Sequence, residues 1–297
     1  MLSRPWLSPP CPRSLVPWWG GSAERKAARV GLKLAISGKG GVGKSTLAAV
    51  FAHLAVQEGW RVLAVDADPA ASLAATLGMP EDEQHKIVPL AERRALVEER
   101  TGAKVRQYGQ IFKLNPDVAG IAEKESAFFR GIHLLVLGAI ERGGSGCACP
   151  ESVLLRELVA DVVLNKDDCV ILDMEAGLEH LGRATARGVD LLLVVAEPSN
   201  RAVEVAGSIR RLAGEASIRR VAVAGNKVTG PADEEFLRKA FGGAGYIGSL
   251  PFDAVIPRAD RENRAVFDVA PPELLGRFRQ LWEQVKAKAA ESTLQKS

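Results

Sequence analysis

A glycine-rich segment, Gly38-Lys39-Gly40-Gly41-Val42-Gly43-Lys44-Ser45-Thr46, follows directly on the apolar run Leu34-Ala35-Ile36 and opens a stretch of helical periodicity. Strand, glycine loop and helix in that order fix a local geometry, because the chain must turn from a buried strand into a helix N-terminus. Glycine has no Cβ, so successive N–H groups turn inward around the oxygens of an anion. The spacing is G-x-x-x-x-G-K-[ST], that of a phosphate-binding loop. Gly38, Gly40, Gly41, Val42, Gly43, Lys44, Ser45 and Thr46 are therefore expected around a nucleoside triphosphate. Lys44 supplies a point charge for the β and γ phosphates, and Ser45 a hydroxyl for Mg²⁺.

The rest of the chain repeats the alternation. Strands are predicted at 32–36, 61–66, 132–137, 169–173, 190–196, 220–225 and 246–249, with a weaker one at 110–114. Runs such as Leu191-Leu192-Leu193-Val194-Val195 suit strands buried on both faces of a mostly parallel sheet. Helices are predicted at 44–58, 151–164, 201–213, 232–241 and 273–291, and 80–106 reads as mostly helical surface. The fold expected is a three-layer α/β/α P-loop NTPase, one domain over 31–291 with a flexible tail at 292–297. Residues 1–30 hold three of the five tryptophans and five of the sixteen prolines without periodicity. They read as a disordered leader or a mis-assigned start, with translation beginning near Val30.

Net charge is +3, but Arg4, Arg13, Arg25, Lys26 and Arg29 face only Glu24 in the first thirty residues. The remainder is close to neutral, which gives no electrostatic case for nucleic acid. No run of 18 apolar residues occurs, so no membrane span is expected. The four cysteines are few for a disulfide framework and fit a reducing cytoplasm.

Ligands of such sheets sit at the carboxyl ends of the strands, and four strand ends carry candidates. Asp66-Ala67-Asp68-Pro69 places two carboxylates beside the phosphate loop, to orient water or hold Mg²⁺ through water. Asp173 ends a buried apolar strand and is followed by Gly177, which lets the backbone swing toward a γ-phosphate. Asn226-Lys227, expected just past a strand, offers an amide to a base, and Pro251-Phe252 offers a cover for it.

Lys39, a second lysine at the second loop position, makes the segment resemble the deviant phosphate loop of the MinD, ParA and nitrogenase iron protein superfamily. The resemblance implies ATP hydrolysis with Mg²⁺ in a homodimer, Lys39 reaching the partner's nucleotide. It further implies Asp68 as water-orienting, Asp66 as loop support, Asp173 on the magnesium side, 173–183 as a second switch, and adenine as the base.

Gly146-Cys147-Ala148-Cys149-Pro150-Glu151 narrows the reading. Residues i and i+2 of an extended chain face one side, so both sulfurs can point at one place. Pro150 suits the first turn of a helix, which puts Cys149 at the helix N-terminus, where the dipole favours a thiolate. Two thiolates are half of a tetrahedral site; His133 and His180 are remote, and Cys169 opens a core strand. A twofold dimer would complete the set; a buried pair or a redox pair is the other reading.

Together with 66–69 and 173–183, this segment resembles the carbon monoxide dehydrogenase accessory ATPases of the CooC type. That resemblance implies a nickel-insertion metallochaperone acting on carbon monoxide dehydrogenase or the related acetyl-CoA synthase, with Ni²⁺ or Zn²⁺ shared between Cys147 and Cys149 of two subunits. Thiolates suit nickel, zinc and iron–sulfur clusters alike. An iron–sulfur carrier, for which C-x-x-C is the usual spacing, and a MinD- or ParA-like positioning ATPase are the alternatives. His180 reads as a structural switch residue or a transit ligand for nickel, and Glu175 as a contact to the partner or to the magnesium shell.

Overall fold

The computed structural model describes residues 31–104, 110–139, 149–165, 169–176, 186, 188–242 and 245–291. Among the described residues there are eight strands: β1 (Leu32–Gly38), β2 (Val62–Ala67), β3 (Ala127–Phe129), β4 (Ile132–Val136), β5 (Cys169–Met174), β6 (Leu191–Ala196), β7 (Val221–Val228) and β8 (Tyr246–Pro251). They form one sheet in the order β3-β4-β2-β5-β1-β6-β7-β8. Every pairing is parallel except β3 with β4.

The long helices are α1 (Lys44–Gln57), α6 (Pro150–Asn165), α7 (Asn200–Glu215), α8 (Pro231–Phe241) and α11 (Pro272–Ala290). Shorter ones are α2 (Leu73–Thr76), α3 (Glu81–Gln84), α4 (Arg94–Thr101), α5 (Ile121–Glu125), α9 (Val255–Arg261) and α10 (Val266–Val269).

Strand side chains alternate between faces, and that alternation divides the core in two. Leu34, Ile36, Leu191 and Leu193 pack with Phe51 of α1 and with Phe278 and Trp282 of α11. Ala35, Leu192 and Val194 pack on the opposite face with Leu158 of α6, Ile209 of α7 and Leu237 of α8. Apolar residues are needed at every position of such a strand, which is why the runs show no polar alternation.

Register then aligns the site. Asp173 pairs in Cα register with both Ile36 of β1 and Asp66 of β2. The start of the phosphate loop and two carboxylates thus meet at one carboxyl edge, beside the strand where the connections reverse direction.

Two expectations need correction. Residues 110–114 form no strand: Ile111 is 98% exposed, and the edge of β4 is taken by β3 through a hairpin. Its turn residues, Arg130 and Gly131, have φ of 48° and 83°, the left-handed pair of a tight hairpin. Residues 80–104 are mostly helical surface, as expected, but in three short pieces, α3, a 3₁₀ turn at Leu90–Glu92 and α4, because Pro89 holds the residue before it out of a helix. Asn226 and Lys227 lie within β7, and Pro251 within β8, rather than after their strands. Among the described residues no helix is long and apolar enough to cross a membrane.

Candidate nucleotide-binding site

Gly43 precedes α1 with φ 100° and makes no side-chain cap, and the first turn of α1 holds no acidic residue. The free N–H groups and the positive end of the helix dipole are therefore left for an anion. Lys44, the first residue of the helix, is only 5% exposed and reaches to 3.7 Å from Asp68 Oδ2.

A Cβ at Gly43 would overlap Asn226 Nδ2 and would sit in a backbone region that costs about 1–2 kcal/mol for other residues. Gly43→Ala is expected to weaken ATP binding at least about tenfold in titration calorimetry, with an unchanged circular dichroism spectrum.

Asp66 and Asp173 are fully buried. Asp66 braces the adjoining loop, accepting from Leu73 N–H at 2.9 Å and from Asp68 N–H at 3.2 Å. Burial pushes its carboxyl up to about 7, with the nearby Asp173 charge adding and the backbone donors opposing. Asp173 is pushed up to about 6, again by burial first, with Ser45 and Lys44 pulling back. Ser45 is close enough to draw the Asp173 carboxyl down, but neither Asp173 oxygen makes a hydrogen bond of normal geometry among the described residues.

Two orphaned carboxylate oxygens near the Ser45 hydroxyl fit a hard divalent cation such as Mg²⁺, which takes oxygen ligands and keeps several waters. Asp68 differs from its neighbour: Oδ1 accepts from Ala70 N–H at 3.0 Å, while Oδ2 faces Lys44. Ser37 Oγ donates to the Glu175 carbonyl at 2.7 Å, tying the end of β1 to the segment that follows Asp173.

At the other end, Asn226 Nδ2 donates to the Val42 carbonyl at 2.7 Å, and its buried Oδ1 has no partner among the described residues. Pro251 and Phe252 line the same cleft as Lys44, Ser45 and Thr46, a space of about 630 Å³. Phe252 is 56% exposed, free to lie over a base.

Residues 33–266 match the family of CobQ/CobB/MinD/ParA nucleotide binding domains. The chain belongs to that family. It is 40% identical to the carbon monoxide dehydrogenase accessory protein CooC of Rhodospirillum rubrum, over 81% of this chain and 91% of that protein. It is 43% identical to an uncharacterised ATP-binding protein of Methanocaldococcus jannaschii, over 77% of this chain and 88% of that one. In fold it is similar to a ParA family ATPase of Chlorobium tepidum, with TM-score 0.62 and 21% identity over 86% of this chain and 98% of that one.

As a CobQ/CobB/MinD/ParA domain the chain is a nucleotide-binding P-loop ATPase, and the cleft just described is where its phosphate loop opens. Asn226 reaches the loop from inside β7, with its NH₂ group already engaged by Val42. Lys227 does not line the base end alone: its Nζ donates to the Gly41 carbonyl at 2.7 Å. Asp260, Asn263 and Arg264 also wall the cleft, from α9 and the turn after it. No motif marked them, since a short helix after a strand has no distinctive pattern.

Lys39 does not line its own cleft. Its Nζ donates to Glu197 Oε1 at 2.8 Å, at the end of β6. Cys149 directly precedes α6: its carbonyl accepts from Val153 N–H at 3.1 Å, and its Sγ from Ser152 N–H at 3.4 Å. Cys147, Gly177 and His180 lie outside the described residues. Among the described residues no three His, Cys, Asp or Glu side chains gather as an ion site.

Proposed function

We propose that this protein is an ATP-hydrolysing metallochaperone whose two copies close around ATP and a shared four-thiolate site, supporting nickel insertion into carbon monoxide dehydrogenase or acetyl-CoA synthase. The observation that carries the dimer is Lys39. It sits at the second position of the phosphate loop yet stands outside its own cleft, where it serves a second subunit better than its own. Dehydrogenase maturation is supported by the similarity to the Rhodospirillum CooC protein, which extends over 91% of that protein.

In this reading the loop N–H groups and Lys44 hold the triphosphate, and Asn226 Oδ1 accepts from the adenine amino group. Asp68 orients the attacking water, and the partner's loop lysine neutralises charge developing on the γ-phosphate. Phosphoryl transfer is mainly positioning and charge stabilisation, so this division of labour is sufficient. Mg²⁺, held by Ser45 and through water by Asp173, would neutralise phosphate charge when bound. Cys147 and Cys149 of each subunit hold the transported ion, and Cys149 supports this role through its place at a helix N-terminus, where its sulfur already accepts a hydrogen bond.

Anaerobic titration with Ni²⁺, with and without ATP and with the oligomeric mass recorded, tests the reading. Wild type is expected to take up about one ion per dimer, the stoichiometry of a four-thiolate site. The Cys147→Ala/Cys149→Ala variant should take up none. An unchanged titration in that variant, or a wild type that stays monomeric with ATP and nickel present, would overturn the proposal.

A further inference from the structure

The Lys39 ammonium has a definite resting place. Glu197 Oε1 accepts from it at 2.8 Å, and Glu197 Oε2 lies 3.7 Å from Lys227 Nζ. Ser199 Oγ approaches the same carboxylate at 3.5 Å. One half-buried carboxylate at the end of β6 therefore serves two lysines, one from the phosphate loop itself and one from β7. The Lys39 hydrogen bond is the main reason the Glu197 carboxyl is held below the usual carboxylate range.

Lys227 is placed there at a cost. Its φ is 60°, a left-handed value uncommon outside glycine, and the β7–β8 register shifts between Gly225 and Val228. Such strain persists where surrounding structure enforces it, and it clusters at working sites. Here it aims the Lys227 side chain back over the loop, onto the Gly41 carbonyl.

We propose that Glu197 is a positioning residue that parks Lys39 on its own subunit and releases it when two ATP-loaded subunits meet, Lys227 keeping the carboxylate paired. The inference rests on the trans role of Lys39 proposed above. Its physical basis is that breaking a partly buried ion pair is costly chiefly because the remaining charge is stranded. Glu197 is not stranded when Lys39 leaves, since Lys227 is already in place. Release is then inexpensive, yet it still opposes dimer closure in each of the two subunits.

Removing the carboxylate should therefore tighten the dimer. A partly exposed pair is worth up to about fivefold in an equilibrium, so two such pairs in a twofold dimer set a ceiling of about 25-fold. Sedimentation equilibrium with a non-hydrolysable ATP analogue should show Glu197→Gln dimerising about tenfold more tightly than wild type. In a Lys39→Ala background, Glu197→Gln should change nothing.

A folded Glu197→Gln protein that dimerises no better than wild type would overturn the latch. A second measurement is independent of dimer formation. In nucleotide-free protein, reductive methylation of Lys39 should be slower in wild type than in Glu197→Gln, and equal rates would also overturn it. The two failures are distinct: full hydrolysis in Lys39→Ala defeats the trans reading and the handover with it. Lost hydrolysis in Lys39→Ala, with an unchanged dimer constant in Glu197→Gln, defeats the latch alone.

Discussion

Lys39→Ala should bind ATP with near wild-type affinity and hydrolyse it about 10³–10⁵ times more slowly, the range for a cation supplied in trans. Binding survives because the side chain does not line the cleft, and Lys44 with the N–H groups at the start of α1 remains. Hydrolysis fails because nothing replaces the charge at the γ-phosphate.

A mixing experiment separates trans from cis action. In a mixed dimer of Lys39→Ala and Asp68→Asn, the Lys39→Ala subunit keeps its own Asp68 and receives an intact lysine from its partner. An equal mixture should therefore regain about a quarter of wild-type turnover, since half the random dimers are mixed and each has one competent site. Cis action predicts no recovery at all. Phosphate release measured on each variant and on the mixture checks both statements, and wild-type turnover by Lys39→Ala alone would refute the role.

The nucleotide end of this molecule was readable because its signals are local. Gly38 to Thr46 are consecutive, and each apolar strand announces a carboxyl end at which Asp66, Asp68 and Asp173 fall. What stayed hidden depends on residues far apart in the chain. The Lys39–Glu197 pair joins positions 158 residues apart, and Asn226 meets the Val42 carbonyl across 184. No periodicity encodes either contact.

Short elements were lost for another reason. β3 spans three residues and α2 four, too few for a pattern to repeat, and the hairpin turn at Arg130-Gly131 lacks the asparagine or aspartate that usually announces it. The 110–114 segment misled in the opposite direction: its apolar residues had strand character, but the edge of β4 is taken by β3.

The two carboxylates of Asp66-Ala67-Asp68-Pro69 were assigned different roles from sequence by resemblance, and their surroundings give them different expected phenotypes. Asp66 spends both oxygens on backbone donors, Leu73 N–H and Asp68 N–H, and is fully buried. Asp68 anchors one oxygen on Ala70 N–H and leaves the other toward Lys44 in the cleft.

Asp68→Asn is therefore expected to keep the fold and ATP affinity while turnover falls about 10²–10⁴-fold, the usual worth of a positioned proton acceptor. With ATP uncleaved, the closed dimer should accumulate in light scattering. Asp66→Asn should behave otherwise, because an amide NH₂ facing two N–H donors leaves a buried bond unmade, at about 1–3 kcal/mol, and the melting temperature drops. Thermal melts, ATP titrations and steady-state phosphate release on both variants decide the assignment. An Asp68→Asn enzyme with wild-type turnover, beside a well-folded Asp66→Asn enzyme with none, would transfer the water-orienting role from the second carboxylate to the first.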